Sequence, residues 1–181
     1  MKTGEILHNF KAKDGKTVIL RTPKWEDLDD FVELINSLVD EGAEILMVEK
    51  VTRDEEADWL GKRMAAIEKG TLADIVAEVD GKVVAHAELD RQEGYSSHVG
   101  TLGIGIRDGY RDIGIRTEMI NILICEGEKR NLRILTLTVF STNKRARHVY
   151  RNAKFKETGK IPKKFYKNGK YINEIVMARE L

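Results

Sequence analysis

The stretch HVGTLGIGIRDGYRDIGIRTEMINILI, residues 98–124, decides the fold. Its first part alternates as a strand does, with Leu102, Ile104 and Ile106 on one face and Gly103 and Gly105 on the other. Glycine weakens a strand, so two on one face imply that another backbone or a ligand lies close there. A short turn holding Arg111 follows. Gly114 then opens a helix whose core stripe is Ile115, Met119, Ile122 and Leu123 and which stops near Asn131. A strand that feeds a helix through a tight turn presents unpaired backbone N–H groups at the positive end of the helix dipole. That is a ready site for a phosphate or pyrophosphate.

Upstream, KTVILR (16–21) reads as a strand, and Thr22-Pro23 starts a helical region. Trp25, Leu28, Phe31, Val32 and Ile35 recur there at helical spacing until Gly42. Residues 54–69 form a second helix, with Trp59, Leu60, Met64 and Ile67 on one side and Gly70 as the stop. Asp80-Gly81 joins two alternating runs as a hairpin. In its second strand Val83, Ala85, Ala87 and Leu89 point one way, and Val84, His86, Glu88 and Asp90 the other. Downstream come a buried strand (134–139), a helix (143–153) carrying Ala146, Val149, Tyr150 and Ala153, and a hairpin turned at KNGK (167–170). The order predicts an α/β (α+β) fold in which helices flank a mixed, mostly antiparallel central sheet. One parallel crossover is expected around the 114–130 helix. No repeat or linker divides residues 1–181, which reads as one domain.

The chain has 181 residues, 31 basic and 30 acidic, a net charge of +1 and 41% apolar content. That balance demands neither nucleic acid nor membrane, and none of either is expected as a partner. The Lys144–Arg151 run alternates with core positions, which argues against a nucleic-acid helix. One cysteine, Cys125, excludes an internal disulfide and is expected to be buried packing within the helix. The first residues, MKTGEILHNF, have no long apolar core or small-residue cleavage site, so a cytoplasmic protein is expected. No metal is expected.

The R-x-x-G of Arg111-Asp112-Ile113-Gly114 is a weak motif alone. It gains force from its context: a strand ending at Ile106, a buried strand after the helix, then Asn143-x-x-Ala146-x-x-x-Tyr150 opening a further helix with Phe155 beyond it. In this the chain resembles the GCN5-related N-acetyltransferase (GNAT) family. The resemblance implies the family's acyl-CoA N-acyltransferase fold, acetyl-CoA as co-substrate and a primary amine as acceptor. It places the CoA pyrophosphate on the backbone of Arg111, Asp112, Ile113, Gly114, Ile115, Arg116 and Thr117. The pantetheine arm would pair with Gly105, Ile106 and Arg107, and Asn143 and Ala146 would bind it. Tyr150, near the thioester sulfur, would protonate the leaving thiolate. Two positions depart from the family pattern. Arg116 stands where a small residue is preferred, and Lys154 stands where glycine usually precedes Phe155; lysine there costs little if its φ is negative.

Residue by residue, each site has a plainer reading beside this one. Arg111 fits a surface arginine or a phosphate contact, Tyr150 core packing or a general acid, and Asn143 a helix N-cap or a ligand. The base is open. Many relatives place a glutamate on the strand before the turn, but no carboxylate lies between His98 and Ile106. Glu88, His86 and His98 are the candidates, with Glu88 and His98 sharing a face if their strands pair antiparallel. The leading expectation is direct attack of an amine on acetyl-CoA in a ternary complex, the acceptor being a small amine, a polyamine or a protein N-terminus. The alternative is a CoA-binding regulatory module without turnover. A homodimer is compatible with either.

Overall fold

A computed structural model describes all 181 residues. Eight strands form one sheet: β1 (Ile6–Lys11), β2 (Thr17–Arg21), β3 (Leu72–Val79), β4 (Lys82–Arg91), β5 (Val99–Ile106), β6 (Ile134–Phe140), β7 (Lys156–Lys167) and β8 (Lys170–Glu180). Their order is β1-β2-β3-β4-β5-β6-β8-β7. Only β5 and β6 run parallel, around the crossover helix; all other pairs are antiparallel. The helices are α1 (Leu28–Asp40), α2 (Arg53–Glu68), α3 (Ile115–Lys129) and α4 (Lys144–Asn152). No helix is long and apolar enough to cross a membrane.

Each sheet face buries its own cluster. On one, α3 sets Ile115, Met119, Ile120, Leu123 and Ile124 against Ile75, Ala77, Ala87 and Leu89, and α4 adds Ala146 and Tyr150. On the other, Leu28, Phe31, Leu34 and Leu38 of α1 and Leu60 of α2 cover Val76 and Val83. Burial of such side chains contributes roughly 1.5–3 kcal/mol each.

The structure corrects several sequence expectations. β1 was not expected; it is an outer strand with only Leu7 and Phe10 partly covered, so it carries little hydrophobic signal. Trp25 lies in a single 3-10 turn before α1 and is 49% exposed; Leu34 and Leu38 complete the α1 stripe instead. A β-bulge breaks the alternation of β4. Ala77 pairs with Ala85 but Glu78 pairs with Val83, so Val84 is the extra residue. Val83 thereby joins the α1 face and Val84 the α3 face, the reverse of simple alternation. Cys125 is exposed: α3 turns Leu123, Ile124 and Gly127 to the sheet and leaves Asn121 and Cys125 outside.

All four helices end in the same way. At α4 the Phe155 N–H donates to Tyr150 O and the Lys154 N–H to Arg151 O, with the Phe155 and Tyr150 rings in edge contact at 6.1 Å. This is a Schellman motif, and it needs a left-handed residue between helix and strand. Gly42, Gly70 and Asn131 serve α1, α2 and α3; at α4 the residue is Lys154, with φ +68°. The φ is positive, not negative, so the lysine is strained there, where a Cβ costs roughly 1–2 kcal/mol. Lys154→Gly is expected to stabilise the fold by about 1 kcal/mol, raising Tm by about 2–4 °C in thermal unfolding. An unchanged or lower Tm would show that the strain is relieved elsewhere.

Candidate functional site

The parallel pair β5–β6 is short. Val99, Gly100 and Thr101 pair with Ile134, Leu135 and Thr136, and the strands then part. β5 continues to Ile106 on β4, while β6 continues to Phe140 on β8. The peptide groups of β5 alternate in direction. The His98 carbonyl accepts from Arg133 and Ile134 on the β6 side, and the Arg107 N–H donates to Val84 O on the β4 side. The even positions Leu102, Ile104 and Ile106 therefore turn their peptide groups into the gap, where no strand meets them. The gap widens into a cavity of about 920 Å³ lined from both sheet faces.

On the α3 face, the turn Arg107–Gly114 carries the chain from β5 into the helix, with Asp112 and Gly114 both at positive φ. The first intrahelical bond runs from the Glu118 N–H to Gly114 O. The N–H groups of Ile115, Arg116 and Thr117 precede the ladder and aim at the turn, at the positive end of the α3 dipole. The Arg111 side chain is committed elsewhere. Its Nε donates to Ile106 O at 3.0 Å, and its Nη2 makes a short ion pair with Glu41 beyond α1. It ties the end of β5 to the loop that leaves α1.

Asn143 caps α4, its Oδ1 accepting from the Ala146 N–H at 3.1 Å. That fixes the helix start and stands Tyr150, 6% exposed, at the cavity wall. Arg116 reaches across from α3: its Nη1 donates to Tyr150 Oη at 3.2 Å, and its guanidinium carbon lies 5.9 Å from the ring centroid. The arginine at this position is thus accommodated against Tyr150 inside the cavity.

On the α1–α2 face, charges cluster under α2. Asp74 is wholly buried on β3, accepting from Arg63 Nε at 2.7 Å and lying 2.5 Å from His86 Nε2. Arg63 Nη2 also lies 2.5 Å from Glu88 Oε2, an ionic contact without hydrogen-bond alignment. The His86 ring packs edgewise on Phe31 and Trp59. Burial alone would push the His86 imidazole down, but the Asp74 charge and hydrogen bond outweigh it, so the ring stands above its ordinary value. Burial would raise the Asp74 carboxyl; His86, then Arg63, hold it below its ordinary value. Glu88 faces the cavity, its Oε1 lying 2.7 Å from where a Cβ on Gly103 would stand. The space beside Gly103 is filled by Glu88, and that beside Gly105 by Leu38 of α1. The close neighbours of these glycines are therefore side chains, not the backbone or ligand that was expected.

The family model described as "Acetyltransferase (GNAT) family" matches residues 33–155, more than half of the chain. The chain belongs to the GNAT family. It is 34% identical over 108 residues to the L-amino acid N-acetyltransferase AaaT of Escherichia coli K12, a match spanning 58% of this chain and 66% of that protein. Among solved structures, an N-acetyltransferase from Staphylococcus aureus Mu50 superposes with a TM-score of 0.81 at 18% identity, covering 90% of this chain and 98% of its own. A ribosomal-protein-alanine N-acetyltransferase from Brucella melitensis gives 0.79 at 22%, covering 90% and 99%. A GNAT phosphinothricin acetyltransferase from Sinorhizobium meliloti, solved with acetyl-CoA, gives 0.79 at 17%, covering 91% and 88%.

Most residues expected from the GNAT resemblance meet at this cavity: Gly105, Ile106, Arg111, Asp112, Gly114, Arg116, Thr117, Asn143, Ala146, Tyr150 and Glu88 line it. Four others do not. Arg107 spends its N–H on Val84 and its guanidinium on Glu33. The Ile113 carbonyl accepts from the Lys13 N–H, and the Ile115 side chain is core. His98 is exposed before β5, and β4 pairs Glu88 with Gly103, so the two do not share a site. His86 lines the cavity, but its Nε2 is engaged by buried Asp74 at 2.5 Å and its ring is packed edgewise on Phe31 and Trp59. Sequence reading missed Arg63 and Asp74. A basic residue within the polar side of α2 and an acid inside the apolar run LADIVAEV were the available signals.

The buried pair sets a pH window. A raised histidine stabilises fully below its ordinary value of about 6.5 and loses that contribution as pH rises through its folded value. A lowered aspartate stabilises above about 3.9 and loses the contribution as pH falls. Urea unfolding is therefore expected to show stability falling as pH rises above about 7, and His86→Gln to flatten that fall. Asp74→Asn, which leaves His86 without its carboxylate and takes from Arg63 the most buried of its three, is expected to cost about 3 kcal/mol.

Proposed function

We propose that the protein transfers an acetyl group from acetyl-CoA to a primary amine by direct attack in a ternary complex. One observation carries this reading: Tyr150 and Glu88 stand on opposite sides of the unpaired end of β5, in one cavity that passes through the sheet. The donor side suits an anionic, extended molecule. It offers the N–H groups of Ile115, Arg116 and Thr117 for a pyrophosphate, with Lys13, Arg116 and Arg145 around them. The peptide groups left free along this edge, the Leu102 carbonyl, both groups of Ile104 and the Ile106 N–H, suit an amide-bearing arm laid alongside as an added strand. The Ile106 N–H can polarise the thioester carbonyl.

The acceptor side suits an ammonium group. Glu88 and Asp90 of β4 line the cavity there, together with apolar Leu34, Ile35 and Met47. The relatives named as N-acetyltransferases support nitrogen as the acceptor atom. Glu88 is the base, directly or through one water, and Tyr150 the acid. Direct attack is favoured because the cavity takes both substrates at once and Cys125 lies outside it. One sheet takes in strands from Ile6 to Glu180, which supports reading residues 1–181 as a single acetyltransferase domain.

Acetyl-CoA at a hundred times its Kd is expected to stabilise the protein by about 2.7 kcal/mol. Thiol release should appear with some member of a primary-amine panel and fall by about 10² in both Tyr150→Phe and Glu88→Gln. Stabilisation without release on any amine would favour a CoA-binding module instead.

A Cβ at position 103 would displace the Glu88 carboxylate. Gly103→Ala is therefore expected to lower kcat by at least about tenfold while leaving acetyl-CoA binding unchanged. Wild-type kcat in that variant would remove Glu88 from the reaction.

A further inference from the structure

Arg116 is the one cavity arginine without a carboxylate partner. Arg111 pairs with Glu41 and Asp108, and Arg145 with Asp112, whereas the Arg116 guanidinium makes no ion pair and ends on Tyr150 Oη. An uncompensated cation in a half-buried place is costly unless something negative arrives there. A bound phosphate is one candidate. A phenolate on Tyr150 is the other, and the geometry favours it, because the guanidinium already touches the oxygen on which that charge would appear.

We propose that Arg116 is a positioning residue for the Tyr150 acid, and this rests on the acetyl-transfer reading above. A guanidinium has five N–H donors and no acceptor. Tyr150 Oη must therefore accept from Arg116, so its own proton cannot point there. The ring is held by the edge contact with Phe155 and by burial, and only rotation about the C–O bond remains. The hydroxyl hydrogen is thus turned away from α3 and toward the cavity, where the thioester sulfur would lie.

The step balances without any further reagent. The amine nitrogen bonds to the thioester carbonyl carbon, the C–S bond breaks, and its electron pair goes to sulfur. Sulfur takes the Tyr150 proton and leaves as the CoA thiol. Glu88 takes the proton that the attacking nitrogen sheds; the phenolate is paired at once with Arg116 and recovers its proton from solvent, to which Glu88 returns one. The existing Arg116–Oη hydrogen bond becomes a full ion pair only after the proton has moved, so it strengthens as the barrier is crossed.

A double-mutant cycle tests this, with Arg116→Met, Tyr150→Phe and the double variant assayed for kcat and for acetyl-CoA Kd. Arg116→Met should lower kcat by about tenfold to a hundredfold while Kd stays within about threefold. Because Arg116 acts through the hydroxyl, the double variant should match Tyr150→Phe alone. Arg116→Lys, a cation with less directed donors, should recover part of the loss. A weakened Kd with kcat intact would overturn the proposal and make Arg116 a phosphate ligand. Losses that multiply in the double variant would also overturn it, by showing that Arg116 acts independently of Tyr150. Absence of thiol release from the wild-type protein on every amine would overturn the transfer reading itself, and this proposal with it.

Discussion

The parting of β5 from β6 after Thr101 is the constraint on which the rest depends. Two parallel strands in register would have closed the sheet and left no edge. Here the last pairing is Thr101 with Thr136, reinforced by Thr136 Oγ1 donating to Gly100 O, and beyond it each strand follows its other neighbour. The Ile106 end is held away by Arg111, whose Nε takes the Ile106 carbonyl that β6 would otherwise have bonded. Unpaired peptide groups inside a fold are expensive unless something satisfies them. Here they line a cavity open to ligand, and that cavity joins two faces that an unbroken sheet would keep apart.

Those two faces carry different electrostatics. Lys13, Arg116 and Arg145 line the cavity near the unpaired N-terminus of α3, Glu88 and Asp90 line it from β4, and Glu41 and Glu44 lie between them, bonded to Arg111 and Thr142. The near-zero net charge of the whole chain conceals this. Beneath the acidic side, Asp74, Arg63 and His86 form a buried network whose members are far apart in sequence. It fixes Glu88 from behind through Arg63, leaving the opposite edge of the carboxylate over Gly103.

Local signals in the sequence were reliable where short-range chemistry decides. The Asp80-Gly81 and Asn168-Gly169 turns, the stops at Gly42 and Gly70 and the strand–turn–helix of residues 98–124 all stand as read. Features set by distant partners were not legible. The bulge at Val84 depends on which β3 residue sits opposite. Arg111 was left open between a surface arginine and a phosphate contact, and its ion pair with Glu41, seventy residues away, had no local signal. Cys125 lies beside Ile124, yet a helix turns about 100° per residue, and that places the two on opposite sides of the core boundary. The cavity residues of the GNAT motif were legible because each is tied to a turn or a cap. The base side was not, because it rests on pairing across β3, β4 and α2.

A passage through a sheet, unlike a pocket in a surface, has two mouths. On the acetyl-transfer reading proposed above, donor and acceptor would enter from opposite faces, so neither would lie across the other's exit: the CoA thiol would withdraw past α3 and α4 and the acetylated amine past α1 and α2. The loop after α1 is held at three points, by Glu41 to Arg111 after β5, by Glu44 to Thr142 before α4 and by Lys167 of β7, so its position is coupled to both sides of the cavity.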